Sequence, residues 1–223
     1  MIGIVVPACN EEDYLEACLK AIQQAIQSLA PVNRHVHVLV VLDSCTDRSL
    51  EIVQNAGMDY LECDFRCVGK ARDIGVRHMI QLGATWIACT DADSCVDENW
   101  LVQQLNHQPA DVICGVVEVD SWQDFSAITQ KNYLQHYQDV MNHSHIHGAN
   151  LSFSARSYIQ SGGFKALSSH EDVQLIKRMM SMDLKVIWSN LVRVKTSSRV
   201  KGRVPEGFSS FLHQLERTGI AVK

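Results

Sequence analysis

The sequence predicts an α/β protein with a mostly parallel central sheet flanked by helices, and three observations predict it. Apolar runs of strand length alternate with amphipathic helical patterns through the first half. Repeated strand–helix–strand units of this kind build parallel sheets. Each apolar run also ends in a cluster of polar or acidic residues, as strands do when their carboxyl ends face a ligand.

The elements follow in order. Ile2 to Val6 reads as a strand, and Leu15, Cys18, Leu19, Ile22, Ile26 and Leu29 fall on one face of a helix. Asn10 stands where an N-cap belongs, with Glu11, Glu12 and Asp13 in the positive first turn. Val36 to Leu42 is a second, β-branched strand, followed by a short helix through Leu50, Ile52 and Val53. Tyr60 to Cys63 is a third strand; Lys70 to Leu82 is a helix stopped by Gly83; Thr85 to Thr90 is a buried strand; Asn99 to Asn106 is a helix. From Asp111 the order changes to a strand at Val112 to Val119, a long polar helix over Gln123 to Val140 and a His-rich loop. Helices at Ala155 to Gln160 and Glu171 to Met182 complete an α+β second half. No Pro-, Gly- or Ser-rich linker and no repeat divides the chain. One domain is expected over 1–223, with a nucleotide-type half at 1–110 and an acceptor-side half at 111–223.

Composition excludes several classes. With 223 residues, 46% of them apolar and only 12 Gly and 4 Pro, the chain can bury a full core, so disorder and collagen are out. A net charge of −5 offers no general field for nucleic acid or an anionic membrane, so an anion site must be local. No apolar run approaches the length of a membrane span, and Met1 leads into the first strand without a signal peptide, which predicts a cytoplasmic protein. The eight cysteines form no Cys-x-x-Cys pair and read as reduced thiols. Cys63 and Cys67 lack the second pair that structural zinc needs.

Chemistry is expected where strands end. Those positions carry Pro7-Ala8-Cys9-Asn10-Glu11, Asp43 to Asp47, and Asp91-Ala92-Asp93. Extended alternation puts Asp91 and Asp93 on the same side, where two hard oxygen donors suit Mg²⁺ or Mn²⁺ with a diphosphate; a solvated Asp turn is the plain alternative. A dinucleotide fingerprint is missing, and Asp64 stands where a P-loop would have its first glycine before Gly69-Lys70. Side chains and metal, rather than a glycine cradle, would have to hold a nucleotide.

Six pieces together resemble a family 2 glycosyltransferase of the glycosyltransferase A fold, which is Rossmann-like. They are Val6-Pro7-Ala8-Cys9-Asn10-Glu11-Glu12, Val41-Leu42-Asp43-Ser44-Cys45-Thr46-Asp47, Gly69-Lys70-Ala71-Arg72-Asp73-Ile74-Gly75, Asp91-Ala92-Asp93, Gly148-Ala149-Asn150 with Gly162-Gly163-Phe164, and Glu171-Asp172. The resemblance implies transfer of a sugar from a nucleotide-diphosphate donor, a UDP-sugar foremost, to an acceptor hydroxyl such as that of a glycan or lipid-linked precursor. Inversion and dependence on Mn²⁺ or Mg²⁺ are implied with it. Pro7, Asn10 and Glu11 would line the nucleoside pocket, Asp43 would accept from the base, and Arg72 would meet base or phosphates. Asp172, with Glu171 beside it, would be the general base. Leu42 departs from the family's usual acid and Asp73 from its usual asparagine.

Two further clusters stand out. Arg193, Lys195, Arg199, Lys201 and Arg203 crowd into eleven residues, and the segment Thr196 to Pro205 reads as a lid whose Arg199 and Arg203 grip a diphosphate, or else as a solvated basic face. His143, His145 and His147 share one side of an extended segment. That pattern admits a zinc hydrolase, while His147, next to Gly148, also fits an acceptor-site or late metal-ligand role. A sugar nucleotidyltransferase would use the same acidic pair, but it normally carries a Gly-rich loop where Ala8-Cys9-Asn10 stands. A non-catalytic sugar-binding relative is disfavoured by the two intact acidic motifs.

Overall fold

The first strand sets the architecture by sending alternate side chains to opposite faces. In the computed structural model, which describes residues 1–32, 34–199, 212 and 215–217, β1 spans Ile2–Ala8. Its Ile2, Ile4, Val6 and Ala8 join Leu15, Leu19, Ile22 and Leu29 around α1 (Leu15–Ser28) in one core. Val5 enters a second core on the opposite face. β2 (Val36–Asp43) pairs parallel with β1, and β3 (Asp59–Cys63) pairs parallel with β2 after the short α2 (Ser49–Asn55). α3 (Val68–Gln81) covers the second face with Ala71, Val76 and Met79; Gly83, at φ +93°, follows its last turn as expected. β4 (Trp86–Cys89) pairs parallel with the other side of β1.

Beyond β4 the sheet becomes mixed. β5 (Ser94–Val96) and α4 (Trp100–Asn106) precede β6 (Val112–Val119); α5 (Ala127–His136), β7 (Leu151–Ser154), α6 (Ala155–Gln160), α7 (Glu171–Met180) and β8 (Val186–Thr196) follow. The eight strands form one sheet in the order β3-β2-β1-β4-β7-β6-β8-β5. β7 runs antiparallel to both neighbours, β8 runs parallel to β6, and β5 pairs antiparallel with β8 at the far edge. The two sequence halves therefore share one sheet. Among the described residues, no helix is long and apolar enough to cross a membrane.

Several expectations need correction. The polar helix expected over Gln123 to Val140 is confined to Ala127–His136. Ser126 caps it by accepting from the Thr129 N–H, and Tyr137 leaves it in an extended conformation so that its hydroxyl can accept from the Val117 N–H at 2.8 Å. α7 stops at Met180, two residues early. Asn10 does not cap α1, which begins only at Leu15; its backbone is left-handed, at φ +55°, and its side chain crosses to another loop. β5, β7 and β8 were not expected as strands. In β8, Val192, Val194 and Thr196 point inward while Arg193 and Lys195 are more exposed, so Arg193 and Lys195 belong to a strand rather than to a basic loop.

Asn150 ties the mixed half together. β8 shifts register against β6 between Gly115 and Val116, so that Ser189 and Arg193 pair with neighbouring residues and 190–192 are skipped. The Asn150 amide donates to the Val116 and Val192 carbonyls at 2.7 and 2.8 Å, and its oxygen accepts from the Trp100 indole at 2.9 Å. Gly115 leaves the room: a Cβ there would lie 2.2 Å from the amide nitrogen. Asn150 is thus spent on the fold. Asn150→Ala would leave three buried polar groups unpaired, and we expect a loss of about 3 kcal/mol or more in urea unfolding; a loss below about 1 kcal/mol would show that the bulge holds without it.

Candidate active site

The loops after β1, β2 and β3 are chained together by side chains at their carboxyl edge. Asn10 Oδ1 accepts from the backbone N–H of Thr46 at 2.6 Å and of Asp47 at 3.3 Å. In return the Glu12 N–H donates to Asp47 and the Glu11 N–H donates to the Ser49 hydroxyl, both at 2.9 Å. Asp43, buried at the end of β2, accepts three backbone N–H bonds from Phe65, Arg66 and Cys67 at 2.6 to 2.9 Å. Asn10, Ser44 and Arg66 all have positive φ, one in each loop. Strained residues of this kind persist only where their surroundings over-determine them, and they cluster at ligand clamps. Pro7 lies half-buried in β1, leading into the first of these loops.

The next strand end holds the charge. Arg72, reaching from α3, is buried between two carboxylates: one Nη donates to Asp91 and the other to Glu171 at the start of α7. Burial alone would lower the guanidinium's pKa, but Asp91 and Asp172 more than offset it and the net shift is upward. Gly148 makes the space, since a Cβ there would lie within 2.4 to 2.6 Å of the guanidinium atoms. Arg72 is therefore an interior ion pair and not a surface one. Glu171 is buried with it, while Asp172, next in sequence, is half-buried.

On the other side of the acidic pair, Arg199 forks onto Glu11 at 2.7 and 3.0 Å and reaches Asp93 at 2.7 Å. Its guanidinium carbon lies 5.5 Å from the centre of the Tyr14 ring. Burial, then Asp91, push the Asp93 carboxyl up to about 6, against the pull of Arg199. Glu11 thus faces the acidic pair through Arg199. The residues leading to Arg199 are fastened down: Thr196 closes β8, the Ser197 N–H donates to the Asp93 carbonyl at 3.1 Å, and the Ser198 N–H donates to Asp120 at 2.9 Å. The expected lid does not begin at Thr196; its remainder, 200–205 with Lys201 and Arg203, lies outside the described residues. Arg193 of the basic cluster is spent on Glu118 and Asp139. Tyr14 and Gly148 were not assigned these roles from sequence. For Tyr14 the available signal was the spacing of Glu11, Tyr14 and Cys18 along one side of the chain; the Cys18 thiol donates to the Asp91 carbonyl at 3.4 Å.

With this geometry in view, the chain can be set beside known proteins. The sequence profile of glycosyl transferase family 2 matches residues 3–169. The chain belongs to that family. A curated relative, glycosyltransferase GlyA of Streptococcus pneumoniae, is 26% identical over 122 residues; the match covers 51% of this chain and only 16% of the relative. Among solved structures, S. aureus TarS 1–349 in complex with UDP-GlcNAc superposes with a TM-score of 0.68 at 14% identity, covering 93% of this chain and 61% of that one. Mannosyltransferase PcManGT from Pyrobaculum calidifontis, in complex with GDP-Man and Mn²⁺, gives a TM-score of 0.65 at 16% identity, covering 99% of this chain and 65% of that one. Glucosyl-3-phosphoglycerate synthase from Mycobacterium tuberculosis, with Mn²⁺, UDP and glucosyl-3-phosphoglycerate, gives 0.58 at 17% identity, covering 100% and 81%. The chain spans less than two thirds of the length of TarS 1–349 and of PcManGT. These likenesses show the glycosyltransferase A fold, and the chain is a glycosyltransferase by family.

The donor set of this family 2 member fits a divalent cation in one specific way. Asp91 and Asp93 supply two hard oxygens, and among the described residues no group of three or more His, Cys, Asp and Glu side chains is placed to hold a metal. A divalent cation held by these two carboxylates would need its remaining positions filled from outside the chain, as Mg²⁺ commonly does with phosphate and water. His147 is not gathered with the acids; its Nε2 lies 3.1 Å from the Tyr137 hydroxyl. The three imidazoles instead pack ring on ring, with Tyr137 stacked on His145 at 4.1 Å and His143 beyond it at 5.2 Å. That packing, not zinc chemistry, accounts for the His-x-His-x-His pattern, and the zinc-hydrolase alternative has no cluster to rest on among the described residues.

Burial lowers the pKa of all three, His147 to about 3 with His145 and His143 adding to the effect. Their folded values lie below the unfolded one near 6.5, so over this range the unfolded chain takes up protons more readily than the fold does. Stability is then complete above pH 6.5 and falls as the pH drops below it. We expect urea unfolding to show a loss of about 1 kcal/mol from this source between pH 7.5 and 5.5. His147→Gln should show a shallower pH dependence; the same slope in both proteins would count against the argument.

Proposed function

We propose that the protein transfers a sugar from a nucleotide-diphosphate sugar, a UDP-sugar foremost, to an acceptor hydroxyl with inversion and with the help of Mn²⁺ or Mg²⁺. The observation that carries this reading is the convergence of Asp91, Asp93, Arg72, Glu171 and Arg199 at one sheet edge, beside the interlocked loops of Asn10 and Asp43. The UDP bound in TarS and in the mycobacterial synthase supports the choice of base, and the GDP-Man of PcManGT is the competing donor. All eight cysteines are outside disulfides, which suits a reducing, cytoplasmic compartment. In this reading the acceptor would be a glycan or a lipid-linked precursor.

In this reading Pro7, Asn10, Glu11 and Asp43 shape the nucleoside end of the site. Asp43 contributes mainly by fixing the backbone of residues 65–67. Asp91 and Asp93 would hold the metal, which would supply positive charge to the leaving diphosphate. Arg72 holds Asp91 in place from behind, and Arg199 supplies a further cation at the diphosphate side. Asp172 accepts the proton of the acceptor hydroxyl; that oxygen forms a bond to the anomeric carbon as the bond from that carbon to the diphosphate oxygen breaks, and the nucleoside diphosphate departs. Glu171, committed to Arg72, positions the start of α7. The nucleotidyltransferase alternative shares the acidic pair but gives no role to a base at Asp172.

Two substitutions test these assignments. Asp93→Ala should abolish the Mn²⁺-dependent part of UDP binding in isothermal titration while circular dichroism stays unchanged; retained metal-dependent binding would remove Asp93 from the metal site. Asp172→Asn should bind UDP as the parent does and lose transfer by about 10²-fold or more. Near-normal turnover would remove Asp172 as the base and make Glu171 the next residue to vary.

A further inference from the structure

We infer that Arg199 is a built-in occupant of the cation position beside Asp93, and that it makes metal and donor bind together rather than separately. The inference rests on the metal-dependent reading above and extends it to the order in which the site is filled.

The geometry carries the argument. One guanidinium satisfies both Glu11 oxygens and Asp93 Oδ2 within 3.0 Å, and the three side chains are only 17%, 8% and 15% exposed. Asp93 Oδ2 is therefore already engaged by a positive charge. A dication bound at that oxygen would meet the guanidinium at contact distance, where like charges repel strongly in a partly buried site. Metal at Asp93 Oδ2 and Arg199 at that same oxygen exclude each other. The backbone cannot move far to resolve this, because Ser197 is bonded to the Asp93 carbonyl and Ser198 to Asp120. The long side chain can, with Glu11 and the Tyr14 ring as its other partners.

Metal alone must thus displace Arg199 from one of its carboxylates with nothing offered in exchange. Metal arriving with a nucleoside diphosphate brings anionic oxygens that take up the displaced guanidinium, which binds phosphate in the same forked manner as carboxylate. Each ligand then raises the affinity for the other, and by linkage the factor is the same in both directions. Arg199 is in this sense a positioning residue that sets the coupling.

The test is a Mn²⁺ titration followed by electron paramagnetic resonance of the free ion, with and without saturating UDP, on the parent protein, Arg199→Gln and Arg199→Lys. In the parent, UDP should tighten Mn²⁺ binding. Arg199→Gln should bind Mn²⁺ alone about tenfold more tightly, with the enhancement by UDP reduced, as removal of a partly buried competing ion pair requires. Arg199→Lys keeps the charge without the fork and should fall between the two, and it stands in if the glutamine variant proves unfolded by circular dichroism. Unchanged or weaker binding of Mn²⁺ alone to folded Arg199→Gln, with UDP-dependent Mn²⁺ binding intact in the parent, would overturn the inference and leave the proposed function standing. Failure of the parent to bind Mn²⁺ even with UDP would overturn both.

Discussion

Arg72 sits where three distant parts of the chain meet. Its guanidinium is buried between Asp91, at the end of β4, and Glu171, at the start of α7, with Gly148 pressed against it. Leaving any one of these charges unmatched in the interior would cost several kcal/mol, so the three are fixed as a set. That set holds one acid of the Asp91–Asp93 pair on the sheet, and it anchors the helix that presents Asp172. A site made of loops thereby acquires the rigidity of the elements behind it.

The local charge balance has a direction. Glu11, Asp91 and Asp93 converge with Arg72 and Arg199 between them, and the Asp93 carboxyl is pushed up by burial first and by Asp91 second, against the pull of Arg199. In the proposed reaction such a centre would favour a cation, and a diphosphate together with it.

Much of this was legible in the sequence because it is local. Period-two and helical spacings located β1, β2, β4, α1 and α3, and the polar residues after each strand marked the ligand edge. The elements that escaped have no such local signature. β8 is a strand because Val192 and Val194 find a core made by distant residues, and its charged Arg193 and Lys195 read as a loop when only neighbours in sequence are considered. Asn10 carries the pattern of a helix cap, but its side chain bonds across to Thr46 and Asp47, a choice made by tertiary contact. The His-x-His-x-His run resembles a ligand set until Tyr137 is seen lying against it. Arg72 was picked out, yet its burial depends on a glycine that lies far along the chain.

The placement of β5 at the far edge of the sheet has a consequence for assembly. β5 follows Asp93 directly, yet its partner in the sheet is the last strand, with Ser94 against Thr196 and Cys95 against Lys195. During synthesis the first four strands can join as soon as they emerge, whereas the segment carrying Asp93 waits for residues a hundred positions later. The parallel layer of β1 to β4 can pair without β8, whereas the acidic centre is complete only with β8 lying between β6 and β5. Contacts of such long sequence separation are slow to make. The hydrophobic framework of β1 to β4 thus rests on pairings nearer in sequence than those that complete the acidic centre.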